Sequence, residues 1–211
     1  QHRQFWILSS AVLFAGVAGM AVTVHQIPHM VSVGITRTEA GLMVVVFSLS
    51  SIAGRLVFGW FGDIYDKRHC FVAASALSAA GVLAFALSTS VWQFIPTMAA
   101  LGFGMGGVIP LRPALQVESF GTKSFGTIQG LLITAITLGG ILSPPIAGRV
   151  YDIYGSYRWA FVVMAAVTML AIPAVLLVAK GRRNTQAGGA LSSQVPAPVR
   201  DRTERAVVKK D

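Results

Sequence analysis

The chain has 211 residues, of which 54% are hydrophobic and 12% charged, with a formal net charge of +9. A soluble domain carries about 45–50% apolar and about 25% charged residues, so this is the composition of a membrane protein. The basic residues fall in short clusters between apolar runs and near the carboxyl end, which excludes a continuous nucleic-acid face, and the single Cys70 excludes an internal disulfide framework and a cysteine metal cluster.

A bilayer core about 30 Å thick needs about 20 apolar residues in helical form, and six such spans read out in order. The first runs from Phe5 to about Ile27, where Pro28, lacking the donor a helix needs, is expected to close it. Its apolar run is too long for a cleavable signal and leads into further spans; Gln1 in first place fits a chain cut from something longer. "TRTE" at Thr36 to Glu39 is a capping box opening span two, Ala40 to about Phe61. A charged connection, Asp63 to His69, precedes span three, Cys70 to Leu87.

The short turn Ser88 to Ser90 leads into span four, Val91 to about Leu111, with the glycines Gly102, Gly104, Gly106 and Gly107 suited to close helix packing. A polar connection from Arg112 to Lys123 precedes span five, Ser124 to about Ala147, where Pro144 and Pro145 predict a kink. Span six covers about Trp159 to Ala179. Residues 1–183 thus read as a six-helix transmembrane bundle, and residues 184–211, small, polar and finally charged, as a disordered cytoplasmic tail.

Loop charges predict the orientation. With the amino end inside, the inner segments hold Arg3, Lys67, Arg68, Arg112, Lys123, Lys180, Arg182 and Arg183, and the outer ones only Arg37, Arg149 and Arg158. Both termini are then cytoplasmic, in a multi-pass protein of the cell membrane.

The chain also repeats itself. Gly59-Trp-Phe-Gly-Asp63-Ile-Tyr65 and Gly148-Arg-Val-Tyr-Asp152-Ile-Tyr154 share G-x-x-x-D-I-Y, after spans two and five. Three crossings separate the copies and place them on opposite faces, which predicts an all-α membrane fold built as a 3+3 inverted repeat.

An arginine inside a span is costly if it faces lipid, so Arg55 should face a cavity or a partner. It could pair with a substrate carboxylate in a bidentate fork, or snorkel and brace the following loop. Asp63, near the carboxyl end of span two, needs compensation against the helix dipole, from Lys67 and Arg68 or from a neighbouring helix. His25 and His29 flank Pro28 at the outer end of span one, where a proton role competes with an ordinary interfacial one. Thr134 and Thr137 are candidate cavity hydroxyls.

The signature loop Gly59-Trp-Phe-Gly-Asp63-Ile-Tyr-Asp66-Lys67-Arg68 resembles that of the major facilitator superfamily, roughly G-x-x-x-D-R-x-G-R-R. It departs at Ile64, where a basic residue is usual, and at Asp66, where glycine is usual. "GFGMGGVIP", "FGTKSFGTIQG" and "SPPIAGRVYDIYGSYRWAF" resemble the carboxyl half of the monocarboxylate-porter and oxalate/formate-antiporter branch.

The resemblance implies the second half of a twelve-span secondary carrier that moves a small organic anion such as a monocarboxylate by alternating access. Its partners would be the bilayer, the missing amino-terminal half, and a co-transported proton or an exchanged anion. It implies substrate binding at Arg55, and a gating role for Gly59, Asp63, Asp66, Lys67, Arg68, Gly148 and Asp152. Ser51 stands where animal monocarboxylate porters carry an aspartate, and joins the candidate substrate-binding set with His25, Thr134 and Thr137. Span five lacks the lysine of the oxalate exchangers.

No cofactor, metal or catalytic residue is expected. An intramembrane serine protease would need G-x-S-x-G or a similar motif and a base within reach, and neither reads out. The competing reading is a non-transporting six-span protein that senses or assembles, as a homodimer.

Overall fold

The computed structural model describes residues 2–122 and 125–176. Its helices are α1 (His2–Ser32), α2 (Arg37–Ile64), α3 (Lys67–Leu87), α4 (Val91–Phe120), α5 (Phe125–Tyr154), α6 (Arg158–Met169) and a short α7 (Ala171–Leu176). With α6 and α7 counted as one span, six helices are long and apolar enough to cross a membrane. Lys123, Ser124, residues 177–183 and the tail 184–211 lie outside the described residues.

The helices outrun the expected spans because proline does not stop them. Helix α1 passes through Pro28 to Ser32, α4 through Pro96, Pro110 and Pro113 to Phe120, and α5 through Pro144 and Pro145 to Tyr154. In a membrane helix the carbonyl freed by proline finds other donors, so the break is tolerated. The carbonyl of Gly140, four residues before Pro144, accepts the Ser143 hydroxyl at 3.4 Å. Arg112 therefore lies within α4 rather than in a connection, and Arg149 and Asp152 lie within α5. Only the last span is interrupted, at Leu170, in front of Pro173, whose ring opposes the carbonyl of Met169.

The capping box forms: the Thr36 hydroxyl accepts the Glu39 N–H at 3.3 Å while Glu39 Oε2 accepts the Thr36 N–H at 3.0 Å. Thr36→Ala is expected to cost about 1 kcal/mol, read as a lower denaturation midpoint that Thr36→Ser restores.

Two apolar clusters occupy opposite ends of the bundle. One joins Met30, Ala40, Phe85, Phe94, Ala147 and Phe161; the other joins Val12, Phe58, Phe71, Leu115 and Val175. Each draws on alternating helix ends, so consecutive helices run up and down. Helix α2 packs on α4 as α5 packs on α1, α3 packs on α4 as α6 and α7 pack on α1, and α3 and α6 pack on each other. Exchanging α1 with α4, α2 with α5 and α3 with α6 maps this pattern onto itself, which is the inverted 3+3 repeat.

Helix α4 is closely enclosed. A Cβ on Gly102 would meet the Phe47 carbonyl, one on Gly106 the Ser51 carbonyl, and one on Gly54 of α2 the Phe103 carbonyl. On the other side, a Cβ on Gly104 would lie 2.5 Å from the Ser78 nitrogen, and one on Gly81 of α3 would lie 2.7 Å from Leu101 Cα. Small residues bring the backbones together here because helices in lipid associate through van der Waals contact.

Candidate functional site

The two spans with least cover are repeat partners. Only 22% of the α2 span and 12% of the α5 span is buried, against 56% of α3 and 50% of α4. Helices α2 and α5 make no contact with each other among the described residues. Each buries one side in the bundle and leaves the other open, as Leu49, Ile52, Leu56 and Trp60 show on α2 and Leu131, Leu138 and Ile141 on α5.

Arg55 lies on the open part of α2 and has no hydrogen bond or ion pair among the described residues. The rotation of α2 is set by Gly54 against Phe103 and by Phe58, whose ring a Cβ on Gly107 would meet. These contacts turn Arg55 away from α4, among Ile52, Leu56 and Trp60, all more than half exposed. The helix end is Ile64, so Arg55 is about 13 Å from it at 1.5 Å per residue, deeper than a span ending at Phe61 would place it. A charge there needs a partner that these helices do not supply. Ser51, one turn earlier, is turned inward: it is 8% exposed, against α4 at Gly106.

On α5, Thr134 and Thr137 are exposed, and the Thr134 hydroxyl donates to the Gly130 carbonyl at 2.9 Å. His25 is half-buried; its Nε2 donates to the Pro144 carbonyl at 3.0 Å, and its ring lies 5.0 Å from that of Tyr157. The structure therefore brings His25 to α5 but does not join Arg55 to Thr134 or Thr137, since α2 and α5 stand apart.

The signature segment is tighter than a loop. Tyr65 ends α2 with its N–H on the Phe61 carbonyl at 2.8 Å, and Asp66 caps α3, accepting the Arg68 N–H at 3.0 Å. Lys67 and Arg68 thus open α3 instead of lying in a connection. Asp66, not Asp63, takes the favourable place at a helix amino end. Asp63 is exposed and has no ion pair with Lys67 or Arg68 among the described residues. The close approach is at Gly62, where a Cβ would lie 2.7 Å from Leu111; Gly59 has open space around it.

In the second copy Gly148 lies near His25, Asp152 is exposed, and Gly155 ends α5 at φ +65° with its N–H on Tyr151 at 2.7 Å. Asp66 and Gly155 are equivalent positions of the repeat. One makes a sharp left-handed stop and the other a cap for the next helix.

Several polar groups outside the predicted set are buried, among them His29, Gln116 and the Nε of half-buried Arg112. His29 is 1% exposed rather than interfacial, and its Nε2 donates to the Phe85 carbonyl at 3.2 Å. Gln116 is fully buried, donating to the Phe125 carbonyl at 2.7 Å and so tying α4 to the start of α5. The Nε of Arg112 is buried without a partner among the described residues. In the sequence Gln116 reads as part of a polar connection, and its burial follows from α4 continuing to Phe120. No group of three metal-ligating side chains is found among the described residues.

The family model "Major Facilitator Superfamily" matches residues 6–209. Monocarboxylate transporter 12 of Mus musculus is 27% identical over 203 residues, covering 93% of this chain and 40% of the relative. Monocarboxylate transporter 13 of Rattus norvegicus is 26% identical, covering 78% and 39%. The probable nitrate/nitrite transporter NarK2 of Mycobacterium tuberculosis is 28% identical, covering 76% and 41%.

The crystal structure of an auto inhibited POT family peptide transporter superposes with a TM-score of 0.72 at 16% identity, covering 97% of this chain and 44% of that one. Tetrameric PepTSo2 gives the same score and identity, covering 82% and 40%. The chain therefore spans about two fifths of the relatives it matches. These relatives are transporters and not enzymes, and the chain, a multi-pass membrane protein, belongs to the major facilitator superfamily.

Proposed function

We propose that this chain is one six-helix half of a secondary carrier for a small organic anion, such as a monocarboxylate, which moves by alternating access. The observation that carries the reading is Arg55: a guanidinium within a span, exposed, unpaired among the described residues, on one of the two least covered helices. A carboxylate satisfies it through two parallel N–H bonds. The second half covers the open faces of α2 and α5, and the anion lies between the halves, with Thr134 and Thr137 contributing hydroxyls from α5. The relatives, monocarboxylate and nitrate/nitrite transporters, support a small anion.

Ser51 provides no carboxylate and is buried against α4, so coupling by a co-transported proton needs an acid elsewhere in the carrier, and exchange against a second anion needs none. Asp63 and Asp152, exposed at opposite ends of the bundle, act as latches that pair with the other half in one conformation and part in the other. The end bearing Lys67 and Arg68 faces the cytoplasm, and both termini lie there.

The test is uptake by the full-length protein in liposomes, with lactate, pyruvate, oxalate and nitrate as the panel. Saturable monocarboxylate uptake is expected. Uptake of nitrate alone would replace the substrate class, and no movement of any anion, with partner binding retained, would favour the sensing or assembly reading.

A further inference from the structure

The end of α1 holds two histidines one turn apart, His25 and His29, on either side of Pro28. Each ties α1 to a different helix. His25 donates to the Pro144 carbonyl of α5 at 3.0 Å, and His29 to the Phe85 carbonyl of α3 at 3.2 Å. A carbonyl oxygen only accepts, so both Nε2 atoms carry hydrogen. The two Nδ1 atoms are buried without a hydrogen-bond partner among the described residues. At His29 a second ring hydrogen, on Nδ1, would find no acceptor among the described residues.

His29 is the more enclosed. The rings of Phe85, Phe161, Phe94 and Tyr157 surround it at centroid distances of 4.9, 5.2, 6.2 and 6.3 Å. Among the described residues the surrounding groups offer no anion at close range. From α3 and α4 the neighbours are Phe85 and Phe94; from the α5 end come Tyr151, stacked on Tyr157, and exposed Asp152; beside α6 are Tyr157 and Arg158, the latter like-charged to an imidazolium. Helix α2 contributes Arg37 and Glu39 at the same end, with Glu39 engaged by Thr36. Burial, with Tyr151 and Asp152 nearby, pushes the Tyr157 phenol up, so it stays uncharged. The aromatic faces attract a cation, but they offer no acceptor for the hydrogen that an imidazolium carries on Nδ1, so the charged ring does not fit the clasped arrangement.

We propose that His29 is the latch of a proton-released clasp, holding the turn of α1 beyond Pro28 against α3 and α6 while neutral and releasing it when protonated. Pro28 leaves the Val24 carbonyl without its usual donor, which gives α1 a hinge about which the turn from His29 to Ser32 can move. The sign follows from linkage: the released state takes up a proton that the clasped state excludes, so acid favours release and neutral pH favours the clasp. The carrier would then open at this end more readily in acid, whether or not a proton is co-transported.

The test is amide hydrogen exchange of residues 29–35 in the full-length protein in nanodiscs, corrected for the intrinsic effect of pH. From about pH 7 to about pH 4.5, exchange in wild type is expected to rise at least tenfold. His29→Gln, whose amide still donates to Phe85 but takes no proton, should hold exchange low throughout, and His25→Gln should keep the transition. A wild type without pH dependence, or a His29→Gln protein that follows wild type, overturns the proposal. Should the variant fail to insert, ¹⁵N spectra of labelled histidine in wild type decide: a neutral Nε2–H ring at pH 7 that charges as exchange rises is expected, and an imidazolium at pH 7 overturns it.

Discussion

Arg55→Ala in the full-length carrier is expected to lower anion uptake by about 30-fold or more while leaving membrane insertion unchanged. Truncating one member of a desolvated, hydrogen-bonded charge pair costs about 2–5 kcal/mol, and each 1.4 kcal/mol is about tenfold. Insertion should survive because Arg55 makes no hydrogen bond or ion pair within the described bundle. Arg55→Lys keeps the charge but not the planar fork, so it should retain part of the uptake, with the loss mainly in apparent affinity. Uptake measured across the anion panel in proteoliposomes checks both variants. Unchanged transport by Arg55→Ala would leave the arginine only the bracing role and remove the anion site from α2.

Gly106→Val should produce the largest loss of folded protein. A Cβ at Gly106 meets the Ser51 carbonyl, which is main chain and cannot swing aside as a side chain could. Overpacking a close contact costs about 1–3 kcal/mol even where side chains can yield; here α2 and α4 must separate along their length, because Gly102 and Gly54 close the same seam. Detergent-extracted protein should become polydisperse and protease-sensitive. Gly130→Ala, at a position with nothing within 4 Å of the added atom, is the matched control and should behave as wild type. Retention of a monodisperse peak by Gly106→Val would show that the α2–α4 seam can open without unfolding.

Both predictions rest on features that were readable to different degrees. The arginine and the glycine run stand out in the chain because each is unusual in an apolar segment, for opposite reasons: a charge is costly there, and a missing side chain is useful. Which glycines touch which helix was not readable. Gly102 and Gly106 serve α2, Gly104 serves α3, and Gly62 rather than Gly59 marks the close approach of the signature segment to α4. Similarly, Ser51 and Arg55 are one turn apart and read as one site in the sequence. A small rotation of α2, set by Gly54 and Phe58, buries one and exposes the other.

The sequence alone determined that this is an α-helical membrane protein with an inverted repeat, because span length and hydrocarbon thickness are matched by local chemistry, and because G-x-x-x-D-I-Y recurs at a fixed offset. It also determined the capping box at Thr36, whose partners lie three residues apart. Tertiary structure decided what depends on neighbours: that helices continue through Pro28, Pro110 and Pro144, and that His29 lies in an aromatic enclosure instead of at an interface. It also left α2 and α5 as the two uncovered faces. The physical reason is that a helix break, a buried imidazole and an open face are each defined by whether a second helix is there to supply donors, exclude water or cover apolar surface.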